Sequence, residues 1–537
     1  MIAKYTQEGR IPSLLKIAGS ITLALLTSFL LVFSFPNPDQ GWLAWIALVP
    51  LILACHNQRP LSAFLLGLLS GMVTLWGICG WLFGVSAFHI YHALPIAVYF
   101  GLFPALWCLA FPLLRLNGIA LIILAPSLWV ALDYVKTHAG FMAFPWVLLA
   151  HSQHSNLAVL QIAAFTGEYG VTFLVVMASA ALAVAVIQKK WQGVAAAALI
   201  IAVIHGWGFI ILSDTSHSEQ LKVAVVQPSI LRSERETPDG MTASFDRLKR
   251  LTLTAAASEP ELVVWPETAV RDLGKDAQLF AQVKAISQSI NAPILTGASE
   301  SIKFSRKSDS QYNILSLEQY QYNSAYFITP EESLVAAPYR KRILVPFGEY
   351  MPLDSFIPWP SWFVPESSNV LPGDGYKHYA LAGGVRASPI ICWENLFTDY
   401  VRLLARKDTQ VIVQLVNDNW FGRTAAARQH NLASVLRAVE NRVPVVIASN
   451  TGPSQIIDAF GRICDSIPQL FTAGVAMAEV PVAYRATFYT AHGEVFVFMS
   501  FSILAAFIIV RVIFKGSSVK SLMCCLRGIN LKKEGRI

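Results

Sequence analysis

Apolar and polar positions divide the chain into two regimes. Up to residue 213, long apolar runs alternate with short polar breaks, and a helix that crosses a bilayer needs about 20 mostly apolar residues. The runs predict spans near 18–35, 41–56, 62–84, 93–114, 118–136, 166–187 and 194–213, with an eighth near 494–514. Residues 137–165, containing AFPW (143–146) and HSQHSN (151–156), are too polar at their centre to span. They are expected to lie along the interface with Trp146 as an aromatic anchor.

From Leu221 the runs shorten and gain β-branched residues. LKVAVVQ (221–227), PELVVWPE (260–267), APILTGAS (292–299), NSAYFIT (323–329), LVAAPYRK (334–341), ASPIICWE (387–394), QVIVQLVN (410–417), PVVIASN (444–450) and SQIIDAF (454–460) read as strands. Helical patterns occupy 240–258, 276–290, 395–406 and 424–442. Strands alternating with helices imply a layered α/β core. The expected domains are a seven-helix transmembrane bundle (1–214), a folded domain (215–490), an eighth membrane helix (491–516) and a basic tail (517–537).

Composition supports a polytopic membrane protein: 54% of residues are hydrophobic against 14% charged, and the mean hydropathy is +0.50. Lys4, Arg10 and Lys16 precede the first span, but FSFPNPDQ (33–40) has no small-residue cleavage site, so the span is read as retained rather than as a signal peptide. The net charge of +7 does not point to nucleic acid, because the basic residues fall in short loops and the tail. Arg59, Arg115, Lys189 and Lys190 would lie in inner loops, while HIYHALP (89–95), placed outside, has no Lys or Arg. The positive-inside rule then sets both termini in the cytoplasm and the large domain outside. The tail contributes Lys515, Lys520, Arg527, Lys532 and Lys533. Of seven cysteines, Cys392 and Cys464 fall in the outer domain and can bridge in an oxidising compartment, but the surroundings of Cys392 offer it another use.

Cys392 closes a buried-strand pattern in SPIICWEN (388–395), which fixes its position while a polar turn exposes its sulfur. ELVVWPET (261–268) brings Glu267 to another strand end, and YRKRILVPFGEYMP (339–352) offers Lys341 and, past a turn, Glu349. A carboxylate to take the thiol proton, an ammonium to stabilise an oxyanion and a thiolate to attack a carbonyl make a complete acyl-transfer site. The bland alternative is a structural Glu267–Lys341 ion pair.

The three motifs, WPE, then K-x-x-L-V-P-F-G-E-Y, then C-W-E, resemble those of the nitrilase superfamily, whose members use Glu, Lys and Cys in this order. Set between hydrophobic segments, they resemble the bacterial apolipoprotein N-acyltransferases over nearly the whole chain. The resemblance implies an extracytoplasmic α-β-β-α sandwich joined to a polytopic bundle of about eight spans in the bacterial inner membrane. It implies an acyltransferase that moves an acyl chain from a phospholipid through a Cys392 thioester to the amine of a diacylglyceryl-modified apolipoprotein. Glu267 would be base and then acid, Lys341 the oxyanion stabiliser, with Glu349, Trp393 and Glu394 in support. No cofactor and no metal are required, and a monomer is expected. The alternative is a membrane-anchored nitrilase-type amidase.

Other features carry two readings. NDNWFG (417–422) and RAVEN (437–441) resemble the segment closing the active site behind the cysteine, or else Arg437 and Glu440 form an ion pair on the domain surface. Asp133 and Lys136 share a helix face and either pair or meet a lipid head group. His151 and His154 lack a third ligand, so no metal is assigned to them. The insertion LDSFIPWPSWFVPESSNVL (353–371) is read as a lipid-facing lid carrying Trp359, Trp362 and Phe363. After the first strand the family's V-Q-G-x-I-P-Q and Lys-Trp become VQPSILRSERET (226–237), with no tryptophan and with Glu234 and Glu236 nearby; Trp393 stands where tyrosine is common.

Overall fold

A computed structural model describes residues 2–85, 92–213, 219–305, 317–331, 337–360, 369–482 and 486–530. Its membrane part comprises α1 (Ile2–Phe33), α2 (Gly41–Cys55), α3 (Pro60–Cys79), α4 (Ala93–Leu113), α5 (Gly118–Thr137), α6 (Glu168–Gln188), α7 (Gln192–Leu212) and, after the large domain, α8 (Val495–Asn530). Seven helices among the described residues are long and apolar enough to cross a membrane, one fewer than the eight expected. The exception is α2. It breaks after Ala47 and restarts with Pro50 in its next first turn, where the missing proline N–H costs no helical bond. Its direction is nevertheless that of a crossing. Gln40 N–H donates to the Phe33 carbonyl (2.8 Å), Leu51 N–H to Thr27 Oγ1 (3.0 Å) and Gln58 Nε2 to Ser20 Oγ (3.1 Å), so the segment runs back antiparallel to α1.

In the connection between α5 and α6, Trp146 is not the aromatic anchor expected of it. Trp146 is only 5% exposed, and its Nε1 donates to Gln429 Oε1 in the large domain (3.0 Å). An indole with a partner that far along the chain is an interdomain contact, not a lipid anchor. His151 is bonded to Glu168 (2.9 Å) and His154 faces Asp39 (3.5 Å), a separate acid for each.

The large domain holds two sheets. The first contains β1 (Gln220–Gln227), β2 (Leu262–Val264), β3 (Val270–Arg271), β4 (Ile294–Ser305), β5 (Leu317–Ile328), β6 (Tyr339–Arg340) and β13 (Gly474–Pro481), ordered β13-β1-β2-β4-β5-β6 with β3 paired to β4. The second runs β12-β11-β10-β9-β8-β7, from Ile463–Ile467, Ser454–Ile457, Val445–Ser449, Val411–Val416, Arg386–Ile391 and Tyr379–Ala380. Strands β1, β2 and β4 are parallel, as are β8, β9 and β10. Val223, Val225, Leu262 and Val264 pack face to face with Ile391, Val413, Leu415 and Val446 between the sheets.

A helix layer covers each outer face, which is why the strands read as continuous apolar runs rather than alternating ones. Helices Pro238–Ala256 and Ala277–Ile290 cover the first sheet through Leu248, Val283 and Ile286. Thr398–Ala405 and Ala426–Asn441 cover the second, and the same cluster continues into Val159, Leu160 and Ala163 at the bundle's end. The bundle therefore docks on a helix layer of the α-β-β-α sandwich, and every residue from Leu432 to Asn441 is buried. Cys392 and Cys464 are both free, with Cys464 exposed on β12.

Candidate active site

The chemistry-bearing side chains stand where the strands end. After β2 the chain leaves through Trp265 and Pro266 into a turn in which Thr268 has φ +48°. Gly297 on the adjoining β4 makes room for it: a Cβ there would fall 2.5 Å from the Pro266 oxygen and 2.6 Å from Glu267 Cα. Arg235, from the segment that departs from the family pattern, ties the turn down by donating from Nη1 to the Thr268 carbonyl (2.7 Å) and Oγ1 (2.9 Å). Nearby Glu234 pairs with Arg247 (3.1 Å). Asn323 Nδ2 donates to Glu267 Oε1 at 2.6 Å. Burial pushes the Glu267 carboxyl above its ordinary range, and the Lys341 charge pulls it back in part.

Lys341 follows β6, its N–H bonded to the Asn323 carbonyl (2.7 Å). It is 1% exposed, and Nζ donates to Glu349 Oε1 at 2.8 Å. Burial alone would lower its pKa, but the carboxylate charges, Glu349 first and then Glu267, outweigh burial and hold it above the ordinary lysine value. The other oxygen of Glu349 accepts the Val345 N–H (2.7 Å), so Glu349 fixes the ammonium against its own loop.

Cys392 begins the turn Cys392–Leu396 at the end of β8 with φ +55°, a left-handed conformation strained for a side-chain-bearing residue. Its carbonyl accepts from Gln414 Nε2 (3.1 Å); Gln414 Oε1 accepts from the Ser434 hydroxyl (2.6 Å), which accepts from Asn395 Nδ2 (2.8 Å). Burial pushes the thiol well above its ordinary range, with Lys341 opposing and Glu267 and Asp418 reinforcing. The resting sulfur is therefore a thiol, and it would need a base before it could attack a carbonyl.

Glu394 has another part. Its Oε1 accepts the Arg342 and Ile343 N–H groups (2.7 and 3.0 Å), and its Oε2 accepts the Ile391 N–H and the Tyr339 hydroxyl (both 2.7 Å). It clips the Lys341 segment to the cysteine turn. Trp393 borders the cavity, and its Nε1 donates to the Ile343 carbonyl (2.7 Å). Arg437 and Glu440 do form an ion pair, but they are 1% and 0% exposed, so the reading that placed the pair on the domain surface is overturned. Arg437 binds Glu440 and Glu168 (both 2.8 Å), the latter at the start of α6, because the bundle covers this helix.

Glu267, Lys341, Glu349 and Cys392 open on one cavity of about 540 Å³ whose opposite wall is Ile96, Phe100, Phe144 and Trp146. A second cavity of about 110 Å³ inside the bundle shares Phe100, Phe144 and Trp146 and includes the Asp133–Lys136 pair, 2.7 Å apart. In the 353–371 insertion, Trp359 is half-buried with Nε1 on the Pro352 carbonyl (2.8 Å), and Phe356 is 82% exposed. Trp362 and Phe363 lie outside the described residues. Asn323, Gln414 and His430 border or brace the site without a motif to announce them; Gln414 inside an apolar strand and His430 inside a helix are at least polar residues out of pattern, whereas Asn323, at the boundary of the strand expected from sequence, gives no such signal.

Residues 27–181 match the apolipoprotein N-acyltransferase N-terminal domain, and residues 222–489 match the carbon-nitrogen hydrolase family. An apolipoprotein N-acyltransferase of Geobacter metallireducens is 32% identical over 88% of this chain and 92% of its own. One of Chlorobaculum tepidum is 27% identical over 88% of this chain and 92% of its own. Among solved structures, an amidase from Nesterenkonia aligns with 50% of this chain and 93% of its own at 15% identity, with a TM-score of 0.35. By sequence over most of its length, the chain belongs to the apolipoprotein N-acyltransferase family.

Proposed function

We propose that this chain moves an acyl group from a phospholipid to the α-amine of a diacylglyceryl-cysteine apolipoprotein through a thioester on Cys392. The observation that carries this reading is the cavity. A Glu, Lys and Cys acyl-transfer set faces a wall of membrane-side aromatic residues, so a lipid ester can reach the sulfur without leaving an apolar surround. In the first half-reaction Glu267 takes the thiol proton, Cys392 attacks the ester carbonyl, Lys341 stabilises the oxyanion, and Glu267 returns the proton to the leaving lysophospholipid alkoxide. In the second, the acceptor amine attacks the thioester and the thiolate leaves. Glu349 positions Lys341, Glu394 braces the turn, and the 353–371 loop covers the lipid.

The same proposal sets the chain as a monomer divided at 1–214, 215–490, 491–516 and 517–537. Arg59, Arg115, Lys189 and Lys190 lie in loops between helices. That charge bias supports cytoplasmic termini and an extracytoplasmic catalytic domain.

The test incubates full-length protein in nanodiscs with a phospholipid labelled in its sn-1 chain and analyses the Cys392 peptide by mass. A hydroxylamine-sensitive adduct is expected, absent from Cys392→Ala and passed to a diacylglyceryl-cysteine peptide. No lipid adduct, with turnover of small soluble amides, overturns the reading in favour of an anchored amidase.

A further inference from the structure

The proposed second half-reaction leaves one proton without a destination. The acceptor arrives as an ammonium, and forming the amide strips two protons from its nitrogen as the C–N bond forms and the C–S bond breaks. Glu267 carries one of them to the departing Cys392 thiolate, which becomes the thiol again. The balance is thioester plus R–NH₃⁺ giving amide, thiol and one H⁺, and that last proton needs an acceptor inside a cavity whose walls are largely apolar.

An unassigned pair stands at that wall. Asp418 lies in the turn after β9 and His430 on helix Ala426–Asn441, with Nδ1 and Oδ1 3.1 Å apart and both side chains 1% exposed. His430 borders the 540 Å³ cavity, and its ring packs against Trp146 at 5.2 Å. Because the Asp418 carboxylate accepts, the neutral imidazole carries its proton on Nδ1 and leaves the Nε2 lone pair open. Nε2 is buried and has no hydrogen-bond partner among the described residues; neither has Asp418 Oδ2. An orphaned buried nitrogen is destabilising. The pair is close to the chemistry, since the Asp418 charge opposes ionisation of both Cys392 and Glu267. The other titratable groups bordering the cavity are Lys341, Glu349, Tyr99 and Tyr322. Lys341 and Glu349 bind each other, and Glu267 is committed to the sulfur.

We infer that His430, oriented by Asp418, is the second base of the site and takes the surplus proton of the acceptor's ammonium at Nε2. Trp146 covers the ring, so the acceptor reaches Nε2 by displacing the indole edge. The inference rests on the acyl-transfer reading, and its test separates the two. Full-length wild type, His430→Gln and Asp418→Asn are placed in nanodiscs, and acylation of Cys392 by labelled phospholipid is timed first. Each acyl-enzyme is then chased with a diacylglyceryl-cysteine peptide near pH 6.5 and near pH 9.

Near pH 6.5 transfer should fall at least ~10-fold more than acylation in both variants. The gap should close to within about threefold near pH 9, where an α-amine of pKa about 7.7–8.0 is already neutral. Transfer that falls no more than acylation near pH 6.5, or a selective loss that persists undiminished near pH 9, overturns the inference. If His430→Gln fails to fold, Asp418→Asn decides by the same ratio, because an amide donating to Nδ1 forces the proton onto Nε2. Failure of the wild type to form any acyl-enzyme would instead sink the acyl-transfer reading itself.

Discussion

Glu267 and Lys341 show how much a single contact decides in a buried site. Asn323 donates to Glu267, and that bond, with Lys341, works against the burial that raises the carboxyl. As the proposed base, Glu267 would act only when ionised, so the acid limb of Cys392 acylation should lie above the ordinary glutamate range. Asn323→Ala should move it higher still; an unchanged pH profile of the acylation burst would show that the bond is idle. Glu349→Gln should slow acylation by about 10²–10³-fold, because Lys341 loses the charge that keeps it an ammonium in a dry site. Single-turnover kinetics would show this, and a loss under threefold would count against it. Glu267, Lys341 and Cys392 line one cavity, and that they would share one site was legible from motif order alone. Asn323 was not, because a lone polar residue at the head of NSAYFIT looks like any strand boundary.

Among the elements, the turns that leave the strands matter more than the strands themselves. Gly297 sits opposite the Pro266–Glu267 turn with no room for a methyl group. Gly297→Ala should displace the Glu267 carboxyl by up to about 1 Å and cut acylation by up to ~100-fold, since a misplacement of about 1 Å costs that much. Thermal unfolding in detergent should move far less; a collapse in Tm with activity retained per folded molecule would refute this. Sequence patterning found strands β1, β9 and β10 closely, because buried parallel strands read as apolar runs. It overextended β2 and β6 and missed β12 and β13, whose mixed polar faces break the run. The 41–56 run likewise had the composition of a span, and only the break before Pro50 shows why it is a short one.

At the scale of the whole molecule, bundle and sandwich are joined by a buried charge cluster under the nucleophile turn. Arg437 reaches Glu168 at the start of α6 (2.8 Å) and Glu440 on its own helix (2.8 Å), while its Nη1 touches the Asn395 and Leu396 carbonyls (both 3.4 Å). The Glu168 N–H also donates to Glu440 (2.7 Å). RAVEN gave no sign of this, because burial of the pair depends on a helix some 270 positions away, which no local pattern encodes. One guanidinium serves both carboxylates, with His151 also on Glu168 (2.9 Å), and burial pushes Glu440 from 4.5 up to about 8 with Arg437 opposing.

A folded-state pKa above the unfolded one means that the fold prefers the protonated acid. The stabilisation is complete below the unfolded value of 4.5 and is lost as pH rises through about 8. Between pH 7 and 9 the protein should lose about 1 kcal/mol, or about 1–2 °C in Tm. Glu440→Gln, neutral at every pH and able to accept the same two donors, should flatten that decline. Differential scanning fluorimetry in nanodiscs at matched ionic strength would decide it: parallel curves for the two proteins would mean that the cluster keeps its charges throughout, and that the joint between bundle and nucleophile turn is indifferent to pH.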